Sequence, residues 1–267
     1  MTLIDKNPPF SYTRYYNDAV TALQIIGQAI VSDNRNVSIL NKGRTASTDF
    51  EKTIALPVLF GDKETLMKSI NKKFSDDKIS TKITSITVDE EEQSEAQSRA
   101  WLDFSFTLEI NGSACLVPVN IKYTSGKTKD NVGGWEALSF CLYGSEGNGK
   151  GVKGVFENQK LKNGDWIDAP IADYFLISFL HGEKKATEEF KVASLLTLTE
   201  NERAFNDSQS FPVQARISET SRNVQVSMTD ARKNFVEWIL TKKVQRAEAE
   251  TKRWTSIRTD FTNSLKS

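Results

Sequence analysis

Residues 101–136 read WLDFSFTLEINGSACLVPVNIKYTSGKTKDNVGGWE, and the fold turns on how this stretch doubles back. Asn111-Gly112 is a two-residue hairpin signal, because a tight turn of this kind needs positive φ at both central positions. With those two residues as the loop, Leu102 faces Ile121, Phe104 faces Val119, Phe106 faces Val117 and Leu108 faces Cys115. One face of the hairpin is then wholly apolar, and a slip of one residue would turn that set to solvent. On the opposite face Asp103 stands across from Asn120, with Lys122 two residues further along the same side. An acid, an amide and a lysine therefore converge at one end of the hairpin. Pro118 adds a constraint: it has no amide proton, so it calls for an unpaired edge or a bulge at its position.

The rest of the chain supplies helices on either side of this hairpin. Tyr16, Ala19, Val20, Leu23, Ile26 and Ile30 recur at helical spacing, so a first amphipathic helix runs from Ser11 to just before Asp33-Asn34. Residues 33–49 read as a polar loop, Lys63–Phe74 as a second helix and Lys82–Val88 as a strand, with the acidic run Asp89–Glu92 as a solvated turn. A short helix is expected from Gly134 to Tyr143, a glycine-rich connection from Gly144 to Gly154, and buried strands at Ala172–Leu180 and Phe190–Leu198. Strand, helix, strand is the pattern of a βαβ crossover, which puts helices on the faces of a mixed sheet. Ser227-Met-Thr-Asp230 opens a long helix with a capping-box pattern, and Trp254, Ile257, Phe261 and Leu265 suggest a second or continued helix beyond it. The expected fold class is α/β, a central mixed sheet flanked by helices, with residues 1–267 forming one domain. Its core spans about 80–200, with helical additions at 11–75 and 227–267.

Composition narrows the chemistry. The 267 residues carry 35 basic and 35 acidic side chains, so overall charge does not advertise a nucleic-acid partner and any polyanion site must be local. Two cysteines, Cys115 and Cys141, and the single His181 are too few for a disulfide framework or the usual structural zinc sets. The terminus MTLIDKNPPF has no basic segment followed by an apolar core, and no run approaches the roughly 18 apolar residues of a membrane span, which implies a soluble cytoplasmic protein without membrane partners. Gly144-Ser-Glu-Gly-Asn-Gly149-Lys150 approaches a phosphate-binding loop, but Gly151 stands where a metal-binding Ser or Thr belongs. His181 beside Gly182 reads as a turn residue, and a lone histidine with no orienting acid is a poor general base.

The arrangement of Asp103, Asn120 and Lys122 resembles the active-site hairpin of the PD-(D/E)xK nuclease superfamily, to which most type II restriction endonucleases belong. PVNIKYTSG followed by KDN, and the later ADYFLISF, look like members of that group, and the resemblance covers roughly residues 100–200. In that family an aspartate starts one strand, a second acid and a lysine separated by one residue sit on its neighbour, and the acids hold a divalent metal against the scissile phosphate. This chain departs from the pattern at Asn120, which offers a carbonyl oxygen but no charge, whereas magnesium prefers anionic oxygen ligands. One branch of restriction enzymes moves that acid to the following helix, about thirteen residues beyond the lysine. Thirteen residues lie between Lys122 and Glu136, so the resemblance makes Glu136 the second ligand.

The resemblance thus implies a magnesium-dependent, sequence-specific endonuclease of double-stranded DNA, in a bacterial cytoplasm. Asp103 and Glu136 would hold the metal, Lys122 would orient the attacking water or stabilise the phosphorane, and Asn120 would hydrogen-bond nearby. Thr124, Ser125, Lys127, Lys129 and Asn131, in the polar loop after the hairpin, would touch DNA. A homodimer is expected from two-fold recognition sites, and a companion DNA methyltransferase from the same system. The alternative is a catalytically inactive DNA-binding or scaffolding protein of the same fold; a nucleotide-using enzyme built on the glycine segment is the third class. The basic residues of the last helices, Lys242 to Arg258, are interspersed with Glu248 and Glu250 and read as a solvated face.

Overall fold

A computed structural model describes residues 9–37, 44–88, 102–127, 129–145, 154–157, 159–206, 213–218 and 224–264. The strands, in chain order, are β1 (Thr81–Val88), β2 (Phe104–Ile110), β3 (Ser113–Thr124), β4 (Asp130–Asn131), β5 (Phe175–His181), β6 (Thr187–Ser194), β7 (Arg203–Phe205) and β8 (Val213–Ala215). The main sheet has the order β1-β2-β3-β5-β6, antiparallel throughout except for the parallel pair β3 and β5. The protein is therefore α/β, with a mixed five-stranded sheet flanked by helices.

The hairpin register is the one the apolar pattern requires. Phe104 pairs with Val119, Phe106 with Val117 and Leu108 with Cys115. Asn111 (φ 49°) and Gly112 (φ 84°) take the left-handed conformations that the two-residue turn demands. Phe104, Phe106, Leu108, Ile110, Val117, Val119 and Ile121 are all fully buried, each contributing roughly 1.5–3 kcal/mol on leaving water. Pro118 sits just before β5 begins to pair with β3 at Val119, so its missing donor falls where the neighbouring strand has no partner for it.

Helix α1 (Tyr12–Ser32) starts where Ser11 accepts a hydrogen bond from the Arg14 amide and lays its apolar stripe on this sheet. Tyr15 and Tyr16 both meet Phe175 of β5 at 6.0 Å between ring centres. The reading of 33–49 as a polar loop is corrected beyond the undescribed 38–43: α2 (Arg44–Phe50), a π-turn at Glu51–Ala55 and α3 (Leu56–Gly61) form one helical run. Ala46, Phe50, Ile54, Ala55, Val58 and Leu59 are its buried side, and the π-turn breaks their helical period, which is why the pattern was hard to see in sequence. Phe50 stacks on Tyr123 of β3 at 4.5 Å. Helix α4 (Lys63–Asp76) packs beside β1, where the Asn71 side chain exchanges two hydrogen bonds with the Ile83 backbone.

After β3 the chain passes through β4 into α5 (Trp135–Tyr143) and returns to β5 parallel to β3, the crossover expected from strand, helix, strand. The two later strands begin and end differently from their apolar runs. β5 starts at Phe175, because the Tyr174 amide donates to the Asp173 carboxylate and is not available to the ladder. β6 spans Thr187–Ser194, after which Ser194 caps a 3₁₀ turn at Leu195–Thr197. β4, β7 and β8 form a small separate sheet that no sequence periodicity announced. The last helix, α6 (Met228–Ser264), is one continuous element opened by Ser227, whose hydroxyl accepts from the Asp230 amide at 3.0 Å. A single hydrophobic cluster extends from Tyr12 to Ile239. No helix among the described residues is long and apolar enough to cross a membrane. The acidic run 89–92 and most of the glycine segment lie outside the described residues.

Candidate functional site

The polar end of the hairpin is built around the place where β2 gives out. Asp103 precedes the first paired residue of β2; its amide donates to the Val119 carbonyl at 2.9 Å and its carboxylate Oδ2 accepts from the Ile121 amide. Two successive residues, Asp103 and Phe104, thus meet Val119, the first through its amide and the second as its ladder partner. The sequence put Asp103 squarely opposite Asn120. In the structure its carboxylate reaches past Asn120 and takes the role a strand carbonyl would have played for Ile121, which fixes the acid at the sheet end.

Asn120 is buried, and its Oδ1 has no hydrogen-bond partner among the described residues. Its side chain is hydrogen-bonded to Tyr174, a fully buried residue immediately before β5. Burial pushes the Tyr174 phenol well above its ordinary range, and the nearby Asp103 charge adds to the shift. Tyr174 was read in sequence as one more member of an apolar strand; the signal that could have singled it out is the pair Asp173-Tyr174, two polar groups at the mouth of that run.

Lys122 lies one step along the same face of β3, paired across the parallel ladder with Ser178. It is half-buried, and its ammonium forms no ion pair or hydrogen bond with the described residues. The same row continues to Lys191 on β6, which faces Ser178 from the other side.

Tyr174 also ties the cluster to the start of α5. Gly133, at φ 47°, has no side chain because one would sit 2.9 Å from the Tyr174 ring and 2.8 Å from Ala137. Tyr174 thus links the Asn120 side chain to the backbone that leads into α5. Glu136 occupies the first turn of that helix, where a carboxylate is favoured by the helix dipole. Its Oε2 folds back to 2.6 Å from the space a Gly134 side chain would fill. No hydrogen bond or ion pair joins Glu136 to Asp103, Asn120 or Lys122 among the described residues. The structure thus brings Asp103, Asn120 and Tyr174 into one cluster, puts Lys122 on the same face of β3, and leaves Glu136 one helical turn beyond Gly133.

The loop after β3 divides in two. Ser125 and Lys127 are exposed, and Arg216 donates to the Lys127 carbonyl at 3.5 Å, so a second cation stands at that turn. Thr124 is buried, with its hydroxyl accepting from the Gly126 amide. Lys129 donates to the Arg203 carbonyl at 2.8 Å and Asn131 accepts from Gln214 at 3.0 Å, so both are engaged in holding the small sheet.

Behind Tyr174 lies a second polar cluster that sequence reading missed. Asp173 is fully buried and accepts from Tyr12 Oη at 2.5 Å, from the Tyr174 amide at 2.7 Å and from Cys141 Sγ at 3.7 Å. Burial raises its carboxyl to about 6, against the lowering effect of the Tyr12 and Ser194 hydroxyls. Arg232 of α6 is also fully buried, donating to the carbonyls of Cys141, Trp166, Ala169 and Pro170. Burial lowers its guanidinium to about 10, still charged at neutral pH.

Neither a scan against protein-family models nor a search of curated proteins finds a match to this chain.

Proposed function

We propose that this protein is a magnesium-dependent endonuclease that cuts double-stranded DNA at specific sequences, in the manner of the type II restriction enzymes. The observation that carries the reading is the convergence of the Asp103 carboxylate and an unpartnered amide oxygen of Asn120 at one end of β3, with Lys122 one step along the same face. A buried carbonyl oxygen left without a donor costs roughly 1–3 kcal/mol, and a cation in its vicinity would recover that cost.

The residue types suit a hard divalent cation, the Asp103 carboxylate, the neutral Asn120 amide oxygen and the Glu136 carboxylate in the first turn of the following helix, although the described residues gather no group of three or more His, Cys, Asp or Glu side chains around one point. Asp103 and Glu136 would hold the ion, and Asn120 would complete its oxygen shell. When bound, magnesium neutralises charge on the scissile phosphate and lowers the pKa of a water molecule. Lys122 contributes the positive charge that orients this water and offsets charge building on the phosphoryl oxygens. Tyr174 holds the Asn120 side chain in place, and Gly133 holds Tyr174. Ser125, Lys127 and the neighbouring Arg216 offer exposed donors to DNA phosphates. Two copies acting on a two-fold site would cut both strands, and a methyltransferase of matching specificity would protect the DNA of a bacterial host.

The test is incubation of the purified protein with a large, sequence-diverse DNA and Mg²⁺. Discrete fragments are expected, and Lys122→Ala should abolish them. Glu136→Gln should do so as well, while Glu109→Gln should not, because Glu109 is engaged with Lys82 at 2.9 Å on the neighbouring strands. Loss of cutting in Glu109→Gln alone would refute the ligand assignment. The second reading, a catalytically silent DNA-binding protein, is favoured by the absence of charge at Asn120 and the lack of any bond from Glu136 to the cluster. Binding without fragments in both Mg²⁺ and Mn²⁺ would decide for it.

A further inference from the structure

The distal part of α6 does not belong to the body of the protein. From Val244 to Phe261 every residue is exposed, a stretch of about 27 Å at 1.5 Å per residue. Three large apolar side chains within it stay more than half exposed: Val244 at 58%, Trp254 at 60% and Phe261 at 63%. A purely solvated helix would have no reason to carry them.

Their spacing is regular. Val244, Ala247, Thr251, Trp254, Arg258 and Phe261 follow one another at alternating intervals of three and four, the repeat that keeps a seam on one side of a helix facing a partner helix. The half of the seam nearer the body, Val244, Ala247 and Thr251, is small and the outer half, Trp254, Arg258 and Phe261, is large; Glu248 and Glu250 stand beside the small half together with Arg246, and Arg253 and Arg258 belong to the outer half together with Asp260. We propose that this arm pairs antiparallel with the same arm of a second copy of the chain. The inference stands on the helix alone and holds whether or not the protein cuts DNA.

Antiparallel pairing centred between Thr251 and Trp254 places Val244 against Phe261 of the second copy, Ala247 against Arg258 and Thr251 against Trp254. Every small residue then meets a large one, which is how a two-helix seam fills space without voids. Arg258 lies over Ala247 with Glu248 and Glu250 of the second copy on either side of the seam, so its charge is answered where it enters the interface. A parallel pair would do the opposite: Arg258 on Arg258, Trp254 on Trp254 and Ala247 on Ala247, with a like charge in the seam and gaps at the alanine. Antiparallel pairing also sets the two bodies at opposite ends of the paired arms.

The test is sedimentation of the full-length protein without DNA. The wild-type chain should be dimeric at micromolar concentration, and Trp254→Glu should weaken association at least about 100-fold, because it removes a central anchor. Since Trp254 is exposed in the single chain, the variant should keep its thermal unfolding midpoint and circular dichroism. Orientation is read by cysteine cross-linking. Val244→Cys combined with Phe261→Cys should give a covalent dimer on mild oxidation, whereas Val244→Cys alone should not, since its two copies would lie about 26 Å apart. The native Cys115 and Cys141 are buried and should not compete. A wild-type monomer, a dimer indifferent to Trp254→Glu, or efficient cross-linking through Val244→Cys alone would overturn the proposal. So would a monomer that binds anionic lipid vesicles through Trp254.

Discussion

Two buried polar clusters meet at the mouth of β5, one residue apart, and they are finished to different degrees. Around Asp173 and Arg232 the strong groups have partners: the carboxylate takes hydrogen bonds from a phenol, a thiol and an amide, and the guanidinium spans four carbonyls. Around Asp103 and Asn120 a buried amide oxygen is left over, and a lysine on the same face has no counter-charge among the described residues. A satisfied buried network specifies structure, because each group it holds would be expensive to leave alone. Residual capacity in a buried cluster costs stability with no structural return, and it marks the place where a ligand completes the set. The contrast marks the first cluster as structural and the second as the place where the proposed metal site would be completed.

Arg232→Ala breaks this comparison on its structural side and should give the largest effect. It strips the donors from four main-chain carbonyls, and urea denaturation should show a loss of about 3–5 kcal/mol. If the variant unfolds at the wild-type midpoint, the cluster is not the structural one.

Asp173 offers a test by pH. Its folded-state pKa, raised by burial to about 6, exceeds the ordinary value near 4, so between those limits the native state holds a proton that the unfolded state gives up. Its contribution to stability is complete below about pH 4 and falls as pH rises to about 6, by on the order of 3 kcal/mol for a shift of this size. Asp173→Asn keeps the neutral form at all pH values. Subtracting its unfolding free energy from that of the wild type across pH 4–6 should leave a difference that declines with pH; a flat difference would mean that the carboxyl is not held neutral.

On the functional side, Lys122→Met should lower cleavage by about 100-fold or more while changing stability by less than about 1 kcal/mol, since no ion pair is lost among the described residues. Equal losses of stability and activity would move Lys122 into the structural cluster. The smallest effect is expected from Asn120→Asp, which places a second carboxylate beside Asp103. Without metal it should destabilise by about 1–2 kcal/mol through like-charge repulsion, and Mg²⁺ should raise its melting temperature more than that of the wild type. Indifference to Mg²⁺ in both proteins would remove the case for an ion at this end of β3.

How much of this was legible differs from element to element. The hairpin could be read because two local signals agreed: Asn111-Gly112 fixed the turn, and the alternation from Phe104 to Ile121 fixed which face was inside. Helices α1 and α4 and the βα crossover followed from the same kind of periodicity. The helical run from Arg44 to Gly61 was not legible, its first residues being read as part of a polar loop, because a π-turn shifts the frame of its buried residues. Among the residues gathered at this end of β3, Asp103, Asn120 and Lys122 were nominated from spacing, whereas Tyr174, Gly133 and Arg216 were not, since each is placed there by a neighbour distant in the chain.

Sequence alone determined the pairing of β2 with β3 and hence the gathering of an acid, an amide and a lysine, since side-chain period and turn chemistry act over a few residues and leave no second register with a buried apolar face. Tertiary structure alone decided that Asp103 caps the Ile121 amide, that Asn120 keeps an oxygen without a donor, and that Asp173 and Arg232 are satisfied. Whether a buried polar group is content depends on which atoms approach it in space, and those atoms come from helices and strands that the local code does not bring together.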